Sequence, residues 1–170
     1  MTMPGQDVPG AMKFAYGPRR TSKMSPSQEE GMSASQDTAS RSAIQVTGVA
    51  TVGVAVTDQD QAVEFYVGVL GMQKLLDVPT PGGGRWIVVA PPGTTGTALA
   101  LVAAHHGVPA GVETGIRLTT PDADTAHAQL LSQGVEAGEV LRWPGVPAMF
   151  AFRDQDGNGL ELIEAAGPST

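Results

Sequence analysis

The 170-residue chain has no cysteine. That removes disulfide frameworks, thiolate nucleophiles and Cys-ligated zinc from consideration. Charge is sparse: 16% of residues are charged against 41% apolar, the balance of a globular chain with a core. No long hydrophobic run exists. The longest uninterrupted one, Ala98 to Ala104, falls well short of the roughly 20 residues that span a membrane. Basic residues are outnumbered, ten Lys and Arg against seventeen Asp and Glu, for a formal charge of −7. Non-specific nucleic-acid binding, which rests on cations meeting phosphates, is disfavoured. The apolar stretch of a secretory signal is missing too, so the expected location is the cytoplasm, with neither membrane nor nucleic acid as partner.

Apolar residues are also unevenly spread. Residues 1–42 contain no Leu, no Ile and one Val, but seven Ser and four Pro. Such a segment buries too little apolar surface to offset the entropy of ordering, which predicts a disordered N-terminal tail. Its five methionines, from Met1 to Met32, leave the translation start open within that stretch. Residues 167–170 form a short C-terminal tail, and residues 43–166 are the foldable domain.

What is present between the tails is a repeated pattern. Val52, Val54 and Val56 alternate as in a half-buried strand. Asp58 is a helix cap, with Gln61 three residues on, and Ala62, Phe65, Tyr66, Val69 and Leu70 follow at helical spacing. Gly71 ends that helix. Strand-like runs follow at Met72–Asp77, Arg85–Ala90 and Thr97–Ala103, separated by Pro- and Gly-rich breaks. The order then repeats. Ile116 and Leu118 alternate, Thr120-Pro121-Asp122 opens a helix with Pro at its first position, and Gly134 ends it. Strands are expected at Val135–Trp143, Ala148–Arg153 and Leu160–Glu164. Asp58-Gln-Asp60-Gln-Ala62 and Asp122-Ala-Asp124-Thr-Ala126 sit 64 residues apart at the same point of each unit. The expectation is an α+β fold: tandem βαβββ modules, 47–104 and 112–165, sharing one curved mixed sheet with outer helices and a concave cleft.

This arrangement resembles the vicinal oxygen chelate superfamily, which includes glyoxalase I, extradiol dioxygenases, epimerases and bleomycin-type resistance proteins. The residues that carry the resemblance are Val56-Thr-Asp58-Gln-Asp60-Gln-Ala-Val-Glu-Phe65-Tyr66, Leu70-Gly71, and Phe152-Arg-Asp154-Gln-Asp156-Gly157-Asn158-Gly159-Leu160-Glu161-Leu162, where Gln155 replaces a usual Pro. The resemblance implies a divalent metal held by the first and last strands of each module, usually by His and Glu. Carried over one position at a time, those places hold Thr51, Ala100, Gly115 (with Thr114 beside it) and Glu161. Only Glu161 matches, so the resemblance implies the scaffold while the residues argue against the metal, and no cofactor is expected. The three histidines do not restore a site: His105 and His106 fall in the linker, and His127 lies on the apolar stripe of the second helix.

Two motif look-alikes are set aside. Asp154-x-Asp156-x-Asn158-Gly159 begins like a calcium loop, but position twelve is Ala165 and strands flank it. Gly82-Gly83-Gly84 lacks the Lys and Ser/Thr of a phosphate loop and reads as a hairpin tip.

Strand parity assigns the cleft. With Val52, Val54, Val56, Phe150, Phe152, Leu160 and Leu162 in the core, the other face carries Thr51, Gly53, Ala55, Ala98, Ala100, Val102, Arg117, Thr119, Met149, Ala151, Glu161 and Ile163. Trp86 and Trp143 are walls near the rim. The candidate ligand-binding residues are Thr51, Trp86, Arg117, Thr119, Met149 and Glu161, a mostly apolar surface with one or two anchors. Arg117 either pairs with Glu161 or holds a ligand anion. The expected function is metal-free binding of a small, largely apolar organic molecule, of the resistance or sequestration type. The alternative is a metal-dependent or Glu161-based lyase, isomerase or dioxygenase, with Glu161 as general base. A homodimer is expected from the resemblance.

Overall fold

Val52, Val54 and Val56 do line one side of a strand. In the computed structural model, which describes residues 44–166, β1 (Thr51–Val56) sends Val54 and Val56 into the core and packs Val52 against it. The chain divides into two units after Thr47, and the architecture below is that of the second, Gly48–Thr170. The tails expected over 1–42 and 167–170 lie outside the described residues.

Asp58 caps α1 (Gln59–Val63), its carboxylate accepting from Asp60 N and Gln61 N at 2.8 and 3.1 Å. The helix then widens into a six-residue π-helical run, Glu64–Val69, in which Leu70 N reaches back to Phe65 O at 3.1 Å. The apolar stripe survives this change: Ala62, Phe65 and Tyr66 are buried, and Val69 and Leu70 pack on the core. Gly71, at φ 68°, ends the helix in the left-handed conformation that glycine adopts without strain.

Next come β2 (Gln73–Pro79), β3 (Arg85–Ala90) and β4 (Ala98–Ala103). These form a four-stranded sheet ordered β1-β4-β3-β2, with β1 parallel to β4 and the other pairs antiparallel. The second module supplies β5 (Glu113–Thr120), α2 (Ala123–Ser132), β6 (Met149–Arg153) and β7 (Gly159–Glu164). Its sheet is ordered β5-β7-β6, again with one parallel and one antiparallel pair. The tandem α+β organisation is as expected, and among the described residues the ladder divides into these two mixed sheets.

Two local expectations are corrected. The cap of α2 is Asp122, which accepts from Thr125 N at 2.6 Å, and Pro121 lies before it. Pro121 favours an extended Thr120, which therefore completes β5 instead of capping the helix. The strand expected at Val135–Trp143 is reduced to two isolated bridges, Ala137–Phe152 and Leu141–Met149. Four residues on one side span three on the other, and the extra residue breaks the ladder as a bulge does.

One core joins both modules. Val54, Val56, Ile87, Leu99 and Leu101 from the first cluster with Phe150, Phe152, Leu160 and Leu162 from the second. His127 sits at its margin, edge-to-face with Phe150 at 5.1 Å. A buried polar network fastens the modules. Asp154 accepts from the Tyr66 hydroxyl at 2.9 Å and from Asn158 Nδ2 at 2.8 Å. Asn158 Nδ2 also donates to Ala55 O at 2.8 Å, while its Oδ1 accepts from Gly111 N at 2.8 Å and Val112 N at 3.3 Å. Thr57 binds Asp156 through both its amide and its hydroxyl. Burial and the adjacent Asp154 carboxylate push the Tyr66 phenol far above its usual pKa, so it remains a neutral donor.

Candidate functional site

Each sheet has a second face turned away from the core. On the first sheet the register lays Thr51 beside Ala98, Gly53 beside Ala100, and Ala55 beside Val102. Val88 lies across from Ala100 and Leu76, and Trp86 across from Val78. Small residues on β1 and β4 make a low floor, in which Ala55, Ala98 and Ala100 are buried. Trp86, 46% exposed, rises at its edge with Leu76 and Val78. None of these side chains is ionisable. Sequence reasoning missed Leu76 and Val78. An extra residue at Leu75 shifts the β2 register, so simple alternation along that strand does not reveal its faces.

The base of this wall is pinned by Arg85, the residue before Trp86. Its guanidinium grips Asp77 through two bonds, Nε to Oδ1 at 3.0 Å and Nη2 to Oδ2 at 2.7 Å, and reaches Asp60 Oδ1 at 2.6 Å. Lys74 adds a 2.8 Å contact to Asp77. Hydrogen bonds from Arg85 and then Lys74 hold the Asp77 carboxyl well below the usual carboxylate range. Gln59 Nε2 donates to Arg85 O and Leu101 O, fixing the helix start against the same strands.

On the second sheet Arg117 and Glu161 are register partners, with Arg117 Nε 2.5 Å from Glu161 Oε2. Of the two readings for Arg117, the structure shows the ion pair. Ala151 flanks Glu161, and Thr119, Ile163 and Met149 form the next row. Leu141 bridges to Met149, and Trp143, 55% exposed, follows it. Thus Arg117, Thr119, Met149 and Glu161 share one face, while Thr51 and Trp86 lie on the other sheet. A half-open cavity of about 250 Å³ lies at the seam between the modules, and of the six expected ligand residues only Thr119 borders it.

The four positions that the family resemblance implies for a metal, Thr51, Ala100, Gly115 and Glu161, hold a hydroxyl, a methyl, a glycine and one carboxylate. Ala100 and Gly115 offer no side-chain donor, and Glu161 is already engaged by Arg117. A divalent ion needs several donors converging on one point, so this set does not fit one.

Comparison with known proteins agrees with the fold. Residues 48–162 match the Glyoxalase/Bleomycin resistance protein/Dioxygenase superfamily, and the chain belongs to it. It is 33% identical to the antibiotic-binding protein TnmS3 from Streptomyces sp. CB03234, with a TM-score of 0.65, covering 73% of this chain and 100% of that one. A glyoxalase/bleomycin resistance protein from the same Streptomyces is 36% identical, with a TM-score of 0.60, over 68% and 99% of the two chains. A superfamily member from Sphaerobacter thermophilus DSM 20745 is 33% identical, with a TM-score of 0.66, over 71% and 98%. Among the described residues no helix is long and apolar enough to cross a membrane.

Proposed function

We propose that this protein binds a small, largely apolar organic molecule on the sheet faces turned away from the core, and holds it without transforming it. The observation that carries this reading is the fate of the ionisable groups. Arg117 and Glu161 are the ionisable members of the expected site, and they already satisfy each other. What remains is apolar surface and a guanidinium that an anionic ligand group can recruit from Glu161. The carboxylate lacks the apolar enclosure a general base draws on: its side chain is 36% exposed and meets a cation. Similarity to an antibiotic-binding protein over nearly three quarters of the chain supports sequestration. The reading is metal-free, in keeping with the donor set. It includes pairing of two copies, which would cover Leu76, Val78 and Trp86.

Anilinonaphthalene sulfonate, apolar rings bearing one anionic group, is a suitable probe. Saturable binding to the full chain is expected, with quenching of tryptophan fluorescence that Trp86→Phe diminishes. Arg117→Ala should weaken it about tenfold, the lower end for a hydrogen bond to a charged group at an exposed site. Chelators should leave binding unchanged, and sedimentation should report two chains. Stoichiometric Mn, Fe, Ni, Zn or Co whose removal abolishes binding would overturn the metal-free reading. Unaltered affinity in Arg117→Ala would remove the anchor.

A further inference from the structure

We infer that the seam cavity is a second small-molecule site, for a neutral, mostly apolar molecule of one or two rings. The inference does not depend on the function proposed above. The cavity, about 250 Å³, has Leu70 and Met72 of the first module on one side and Leu130 and Leu162 of the second on the other, with Gln129 and Gln133 of α2 among its polar groups. It is a half-open cleft: Met72, Leu130 and Leu162 are buried at its floor, while Pro91, Pro92, Gln129 and Gln133 are exposed at its mouth. An apolar cavity of roughly 150 Å³ is enough to take up benzene, so this one has room for more than a single ring. No charged side chain lines it, so nothing there would pair with an ionic ligand, and a neutral one fits better. The two glutamine amides offer donors and acceptors for one polar edge of a ring system.

A second observation points to the same place. Val69, which also borders the cavity, closes the π-helical run Glu64–Val69, and Leu70 follows it. π-helical turns are rare, less favourable than the α-helix they interrupt, and concentrated at functional sites. Here the wide turn shapes one wall of the cavity. A neutral cleft and a rare backbone form coincide where the modules meet, and a ligand there would touch both.

Two methionines make the test direct. In methyl-labelled full-length protein, Met72 reports on the seam and Met149 on the face of the second sheet, and Met72→Leu assigns the first signal. Indole is the probe, since its rings fit the volume and its N–H can meet a glutamine oxygen. Titration should shift the Met72 methyl resonance saturably and leave Met149 in place. Ala126→Leu, which extends a side chain into the cavity, should weaken binding about tenfold or more. Gln129→Ala, at an exposed position, should weaken it severalfold and serves if the first variant fails to fold. The inference is overturned if Met72 does not move up to the solubility limit of indole. It is equally overturned if Met149 alone responds, or if both Ala126→Leu and Gln129→Ala bind indole as the parent does.

Discussion

Replacing Asn158 by alanine removes the amide that ties three separate segments together. The side chain is fully buried, 0% exposed, and takes part in four hydrogen bonds. Its loss leaves the Gly111 and Val112 N–H groups without that acceptor and the Ala55 carbonyl without that donor. Asp154 Oδ2 retains the Tyr66 hydroxyl. The buried Ala55 carbonyl left unsatisfied costs about 1–3 kcal/mol. The Gly111 and Val112 amides are only part-buried and recover water more readily, so we expect a loss of about 2–4 kcal/mol in all. Urea unfolding, followed by circular dichroism, measures it as a lower midpoint at unchanged slope. A double-mutant cycle with Tyr66→Phe locates the effect. Asn158 and Tyr66 share one acceptor oxygen, so their combined cost should depart from additivity by at least about 0.5 kcal/mol. A loss under about 1 kcal/mol, or strict additivity, would show that the network does not fasten the modules as argued.

Other outcomes follow from the same contacts. Asp77 has a depressed folded pKa, so its contribution is present above the unfolded value, about 4, and fades as pH falls below it. Asp77→Asn should therefore lower Tm at neutral pH, and the difference from the parent should shrink in acid; a gap independent of pH would refute the Arg85 and Lys74 attribution. Gly157 turns the β6–β7 hairpin at φ 79°, so Gly157→Ala should cost about 1–2 kcal/mol in urea unfolding. An unchanged midpoint would contradict that conformation. Arg117 and Glu161 are partly exposed, 60% and 36%. Glu161→Gln should therefore move stability by no more than about 1 kcal/mol, while freeing Arg117 and tightening anilinonaphthalene sulfonate. Weaker binding in that variant would argue against the anchor.

Much of the architecture could be read from local pattern. The caps at Asp58 and Asp122 and the stop at Gly71 are short-range chemistry, complete within a few residues. The parity of β1, β6 and β7 follows from the two-residue period of a strand, and it placed Val54, Phe150, Phe152, Leu160 and Leu162 correctly in the core. It also put Arg117 and Glu161 on one face, close enough to pair. The positions that the family resemblance sets against metal ligands hold Thr51, Ala100 and Gly115, none of which carries an imidazole or a carboxylate.

Other features were decided by contacts between distant residues, which no periodicity encodes. The π-helical run follows a stripe that reads as ordinary α-helix, and within it Tyr66 is tied to Asp154, 88 residues further on. Two extra residues, one at Leu75 and one between Ala137 and Leu141, shift register only against a partner strand. The seam cavity exists only where Leu70 and Met72 meet Leu130 and Leu162. Sequence alone set the caps and the buried rows, since each rests on neighbours in the chain. Tertiary structure set the ladder's division into two sheets, the π-helical turn and the hollow beside it, since each depends on how the two finished modules press together.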